Sequence, residues 1–244
     1  MVIGVLAAIP PERLALDEVM SHRTEVGAFT VGTIDGHQVC VGSTGIGKVN
    51  AAVAATQLFE RFDPGTVVFT GVAGGLDPAL AVGDVVIGTS LVQHDAGVLG
   101  DDGIETYQAG HIPFFNPTSR LGFGPSPRLE AAVRRAIGDP PMTLTDGGRI
   151  VFGTILTGDQ FLASSQERER LHAGFSAQAI EMEGAAVAQV ADRYGVDHLA
   201  IRTLSDLAGS GSPADFTGFL DRVARQTVEV LRLVLPVLSE MERL

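Results

Sequence analysis

An α/β fold, with a mostly parallel sheet covered by helices, is what this 244-residue chain predicts. Short apolar runs alternate with helical patterns along most of its length, and hydrophobic residues make up 45% of it, enough for one large buried core. No internal repeat, low-complexity linker or composition break divides the sequence, so residues 1–244 are read as one domain.

The strand-like runs fall at residues 2–7, 38–42, 66–70, 84–89, 149–157 and 198–204. The first is apolar but short, lacks a basic leader and stops at Pro10-Pro11-Glu12, which makes it a buried strand rather than a signal peptide. Helical spacing marks 11–20, 49–61, 127–137, 164–172 and 184–194 between the runs. A last helix is expected over 216–243, where Phe219, Val223, Val230, Leu231, Val234, Leu235 and Leu238 make a stripe that must cover the sheet or a partner. Pro236 is expected to kink or shorten it. Residues 93–126 are the odd stretch. Rich in Gly and Pro and carrying Tyr107, His111, Phe114, Phe115 and Phe123, they read as a long loop that is functional or packs on a neighbour.

Composition excludes several function classes. A formal charge of -12, with Lys48 as the one lysine, works against binding a polyphosphate backbone, so no nucleic-acid partner is expected. The single cysteine, Cys40, allows no intrachain disulfide and no thiolate cluster, and fits a small core residue in a reducing cytoplasm. No run approaches the length of a membrane span. A soluble cytoplasmic protein without a membrane partner is therefore expected.

In sheets of this kind, ligands sit beyond the carboxyl ends of the strands. Here those ends are followed by 8–12, 43–48, 71–75, 158–161 and 205–206. Arg202 and Asp206 lie within and just past a buried run, where unpaired charge is costly, so partners are needed. The acidic pair in Ala179-Ile-Glu-Met-Glu-Gly-Ala-Ala186 supplies them, with one of Glu181 and Glu183 pointing inward and the other solvated. Two readings stay open at this level: a structural Glu183–Arg202 ion pair with Asp206 capping a turn, or a site where two acids and a guanidinium converge.

Other motifs fail. Gly42-Ser-Thr-Gly-Ile-Gly-Lys48 matches a P-loop until Val49 stands where Ser or Thr should hold Mg²⁺, although its glycines still allow close backbone approach to a ligand. His94-Asp95 has no second set of ligands at metal spacing, so a solvated or loop-ordering role and no metal are expected. There is no Gly-x-Ser-x-Gly elbow for a serine nucleophile, and no dinucleotide fingerprint, so no cofactor is expected.

Read together, Ser43-Thr-Gly-Ile-Gly-Lys-Val49, Thr70-Gly-Val-Ala-Gly-Gly-Leu76, Thr157-Gly-Asp-Gln-Phe-Leu162, Glu181-Met-Glu183 and Arg202-Thr-Leu-Ser-Asp206 resemble the nucleoside phosphorylase superfamily, in its methylthioadenosine/S-adenosylhomocysteine nucleosidase branch. The resemblance implies a single-domain, three-layer fold with a twisted mixed sheet, a homodimer, and cleavage of an adenine N-glycosidic bond through an oxocarbenium-like transition state. The departing adenine then needs a proton, the water a base and the ribose a clamp. By resemblance, Asp206 is the general acid toward adenine N7, Glu12 the base for the attacking water, and Glu183 the acceptor for ribose hydroxyls, with Arg202 orienting acid and water. Phe161 and Leu162 would carry adenine, Met182 would pack on the nucleoside, and Ile9, Ile46 and Phe216 would line the sugar and its 5′ substituent. Val72, Ala73, Gly74 and Ser205 fall beside the substrate, as does Glu181, to which no chemical role is assigned.

Water rather than phosphate is the expected acceptor. Phosphorylases of the superfamily add arginines and a serine for phosphate, whereas this chain has Phe69-Thr-Gly-Val72 and Ile9-Pro-Pro-Glu12, and a buried glutamate repels phosphate. Val72 replaces a common Ser, and 100–120 is longer than the usual loop to the 5′ group, which keeps a futalosine-type nucleosidase open. Behind it stand phosphorolysis and non-catalytic nucleoside binding, the latter expected to lack an acid or a base. Phe114 and Phe115 become shared-site residues if their loop reaches a partner subunit.

Overall fold

The structure, a computed structural model, describes residues 2–138, 142–209 and 211–241, less the side chains of 213–215, 217–218 and 221–223. In chain order the elements are β1 (Ile3–Ala7), α1 (Pro10–Val19), β2 (Ser21–Val26), β3 (Phe29–Ile34), β4 (His37–Ser43), α2 (Lys48–Phe62), β5 (Thr66–Gly75) and β6 (Val85–Gln93). Next come β7 (Gly97–Gly100), β8 (Gly103–Thr106), α3 (Pro127–Ile137), β9 (Ile150–Thr157), α4 (Ser165–Phe175), β10 (Ala179–Glu181), α5 (Gly184–Tyr194), β11 (Asp197–Asp206) and α6 (Ser212–Met241).

Nine strands form one sheet in the order β10-β9-β6-β11-β5-β1-β4-β3-β2. Strand β1 runs parallel to β4 and β5, β5 to β11, β6 to β9 and β9 to β10, while β6–β11, β3–β4 and β2–β3 are antiparallel. The sheet is thus mixed and mostly parallel, as expected. Antiparallel pairing of β10 with β5 joins both ends of the β10-β9-β6-β11-β5 series, so these five strands close on themselves.

Alternation along β1 sets the layers. Ile3, Val5 and Ala7 pack with α1, α3 and α6, whereas Leu6 packs on the opposite face with α2 and α5. Burial of both faces explains why β1, β4 and β5 read as continuous apolar runs. Cys40 lies in the second of these clusters, fully buried and free, and burial pushes its thiol up to about 12.

Several expectations are corrected. Helix α6 runs through Pro236 to Met241, so the proline does not end it; packing of Val234, Leu235 and Leu238 in the core holds the turn that lacks one N–H. Phe219 is exposed rather than part of the sealed stripe, while the side chain of Val223 and residues 242–243 fall outside the described residues. The glycine-rich 71–75 does not follow the end of a strand but is the second half of β5, held in the sheet by β10 and β11. Inside 93–126, β7 and β8 form a hairpin, Phe123 is buried, and Tyr107 exchanges hydrogen bonds with the backbone of Thr118.

Candidate active site

Glu12 owes its position to the start of α1. Pro10 and Pro11 occupy the first helical positions, where a missing N–H costs nothing, and the turn brings the Glu12 carboxylate back over the end of β1. Its Oε2 accepts from the N–H groups of Ala8 (2.7 Å) and Ile9 (3.1 Å), and its Oε1 from the N–H of Val72 (2.9 Å). All of these donors are backbone groups, so the side chain at 72 can change without removing the bond. Burial pushes the carboxyl above its usual range and outweighs the nearby Arg202 charge and the three N–H groups that pull it down.

Arg202 sits in the middle of β11 and is fully buried. Its Nη2 donates to Glu181 Oε2 at 2.5 Å and lies 3.7 Å from Glu183 Oε2, and its guanidinium carbon is 3.9 Å from the centre of the Phe69 ring. Both glutamates are buried, so neither is the solvated one that their spacing predicts, and the short ion pair is with Glu181. Glu181 also accepts from Thr157 Oγ1 and from the N–H groups of Glu183 (3.1 Å) and Gly184 (2.7 Å), which makes it the anchor of the cluster rather than a bystander. With one cation against three buried carboxylates, not all can ionise cheaply. Burial first, then the Glu181 charge, push Glu183 up to about 7 against Arg202 and the Gly47 N–H, which reaches Glu183 Oε1 at 2.8 Å.

The end of β11 carries a bulge. Leu204 pairs with Ala73 and Asp206 with Gly74, leaving Ser205 unpaired between them and re-aiming the strand end. Asp206 is buried; its Oδ1 accepts from Ala208 N–H at 2.8 Å and its Oδ2 from Ser205 Oγ at 2.9 Å.

These strand ends surround a pocket with about 720 Å³ of empty space, counted out to solvent. Its wall brings together Glu12, Asp206 and Glu183 with Ile9, Ile46, Val72, Ala73, Gly74, Phe161, Leu162, Glu181, Met182, Ser205 and Phe216. Phe161 and Phe216 meet edge to face, 5.8 Å between ring centres. Of the residues that the sequence assigns to the site, Arg202 alone is absent from the wall and stands behind it. Ala8, Gln160 and Ile180 also line the pocket; they flank Ile9, Phe161 and Glu181, and only their place at strand ends could have marked them.

The Lys48 ammonium is held by two carboxylates. Its Nζ lies 2.6 Å from Asp95 Oδ1 and 3.7 Å from Asp159 Oδ2, which gives Asp95 the loop-ordering role expected of it. No group of three or more His, Cys, Asp or Glu side chains suited to a metal ion occurs among the described residues, and none of the helices there is long and apolar enough to cross a membrane.

A mixed sheet with a carboxylate-lined pocket at its strand ends is an enzyme-like α/β arrangement, and the chain belongs to the phosphorylase superfamily, whose sequence profile matches residues 2–238. Within it, the chain is 45% identical over 249 residues to a 5′-methylthioadenosine/S-adenosylhomocysteine nucleosidase of Mycobacterium tuberculosis, covering 97% of this chain and 98% of that one. It superposes with a TM-score of 0.84 and 30% identity on the Streptococcus pneumoniae enzyme of the same name, solved with a transition-state inhibitor, over 98% and 100% of the two chains. The futalosine hydrolase of Helicobacter pylori is similar too, at 29% identity and a TM-score of 0.80 over 96% and 97%.

Proposed function

We propose that this chain hydrolyses the N-glycosidic bond of 5′-methylthioadenosine and S-adenosylhomocysteine, releasing adenine and the 5-thioribose product. The observation that carries this reading is the convergence of Glu12, Glu183 and Asp206 on one pocket whose remaining wall is mostly apolar. The names of full-length relatives support the same substrates.

In this mechanism Glu12 takes a proton from water as the oxygen attacks C1′, the bond from C1′ to adenine N9 breaks, and Asp206 delivers a proton to N7. Glu183 accepts from the ribose hydroxyls and its charge offsets the cationic sugar of the transition state. Arg202, from behind the wall, and Glu181, within it, act as positioning residues. Three backbone N–H groups aim both oxygens of Glu12, so the base is set before substrate arrives.

A second reading keeps the hydrolysis and enlarges the 5′ arm. The similarity to a futalosine hydrolase and the long 93–126 segment favour it. Incubating the protein with 5′-methylthioadenosine, S-adenosylhomocysteine, inosine and a futalosine analogue, with and without phosphate, separates the cases. Free adenine independent of phosphate supports the first reading; phosphate dependence makes the chain a phosphorylase, and no turnover at all makes it a binder.

We further propose a cytoplasmic homodimer. Phe114 and Phe115 are 80% and 82% exposed, and Ile46, at the pocket mouth, is 56% exposed, a combination that a second copy would cover. Light scattering tests the dimer, and full activity in a monomer would remove any sharing of the site.

A further inference from the structure

Lys48, Asp95 and Asp159 form a closed triangle. Beside the two ammonium contacts, the Lys48 N–H donates to Asp159 Oδ1 at 2.9 Å and the Asp159 N–H donates to Asp95 Oδ2 at 3.1 Å. Each residue touches the other two, across the start of α2, the end of β6 and the end of β9. Lys48 and Asp95 are about four-fifths buried, so solvent screens this pair less than an open surface bridge. Burial pulls the Asp95 carboxyl up, yet the bonds from Lys48 and the Asp159 N–H leave it below its usual range.

The triangle joins two halves of the pocket. On one side the preceding N–H, that of Gly47, holds Glu183, and Gly47 has φ +96° with Asp159 Oδ1 3.2 Å from where a Cβ would stand, so only glycine fits comfortably. On the other side Asp159 leads directly into Gln160, Phe161 and Leu162 of the wall. Consecutive N–H groups, of Gly47 and Lys48, therefore reach Glu183, in the wall, and Asp159, which immediately precedes another stretch of it.

We propose that Lys48, acting through Asp95 and Asp159, is a positioning residue that sets the separation between the sugar side and the base side of the pocket. This rests on reading Glu183 as the ribose acceptor and 160–162 as the adenine wall. A ligand that fills one side alone is then indifferent to the triangle, whereas one that spans both depends on it.

The test compares Lys48→Met and Lys48→Arg with the parent protein. For Lys48→Met, kcat/KM for 5′-methylthioadenosine should fall by about tenfold or more, while the Kd for adenine alone stays within about twofold, and Lys48→Arg should recover most of the loss. Equal losses for adenine and nucleoside, or an unchanged kcat/KM, overturn the proposal. If Lys48→Met does not fold, Asp159→Asn, at a half-exposed position, should give the same split. One readout needs no substrate: the titration of Glu183, followed by carboxyl-labelled NMR, should move upward in either variant as the Gly47 N–H loosens, given that Glu181, Glu12 and Arg202 are unchanged around it. A parent that cleaves no adenine nucleoside refutes the functional reading, and an unmoved titration then still refutes the triangle.

Discussion

Arg202 and Glu181 form the tightest ion pair of the site, 2.5 Å apart with both side chains buried, while Glu183 stands 3.7 Å from the same guanidinium. Removing one member of such a pair leaves a buried charge uncompensated. We expect Glu181→Ala to cost about 3–5 kcal/mol of stability, read from urea unfolding. A loss below about 1 kcal/mol would mean that Glu183 swings in to replace it.

Asp206 is the proposed proton donor. Asp206→Asn preserves shape and the acceptor for Ala208 N–H, so the melting temperature should hold while kcat falls by about 10²–10⁴-fold. Near-normal turnover would remove the assignment.

Glu12→Gln should lose activity as well, but not silently. Both Glu12 oxygens face backbone donors, so the amide NH₂ of a glutamine must point at Val72 N–H or at Ala8 and Ile9. About 1–3 kcal/mol of stability should go with it, measured by denaturant unfolding alongside kcat.

Gly71 faces Glu12 and Arg202. At φ +152° it leaves no room for a Cβ, which would collide with Arg202 Nη1 and Glu12 Oε1. Gly71→Ala is expected to lower stability by about 1–3 kcal/mol and to displace Glu12, the proposed base; an active variant with parental melting would show that β5 yields there.

The contribution of Glu183 and Glu12 to stability should fall with rising pH near neutrality, against His94 and His198, whose pKa, lowered by burial, works in the opposite direction. Glu183 is raised to about 7 and Glu12 is raised as well, so each favours the folded state when protonated. The Glu183 contribution is complete below the unfolded carboxyl pKa of about 4.3 and is lost as pH climbs through about 7, and that of Glu12 runs in the same direction. Unfolding free energies of the parent and of Glu183→Gln, measured between about pH 5 and 8, should differ by an amount that declines as pH rises, and a difference independent of pH would remove the Glu183 assignment.

Legibility in the sequence followed burial. Helices α3 and α5 stand where their periodicity put them, and β1, β4 and β9 to within a residue or two, because each is apolar on the face it buries. Strand β2, Ser21–Val26, is exposed along its whole length and has no apolar alternation to read, and β10 is only three residues long. At the site, spacing pointed to an Arg among acids, but which acid it holds depends on how β10 meets the N-terminus of α5. Glu181 was therefore legible as a residue and not as an anchor. The Lys48 contacts, between residues 47 and 111 positions apart in sequence, had no local signal at all.

Among the described residues, the closure of β10 onto β5 leaves the nine-stranded sheet with a single free border, β2. That border is fully exposed and reads Ser21-His-Arg-Thr-Glu-Val26, with Arg23 and Glu25 charged along it. Charge on an edge strand discourages another chain from adding to the ladder. A charged border therefore stands between the apolar strands that build the pocket and any strand that could add to the sheet, and the proposed dimer would have to form through other surfaces.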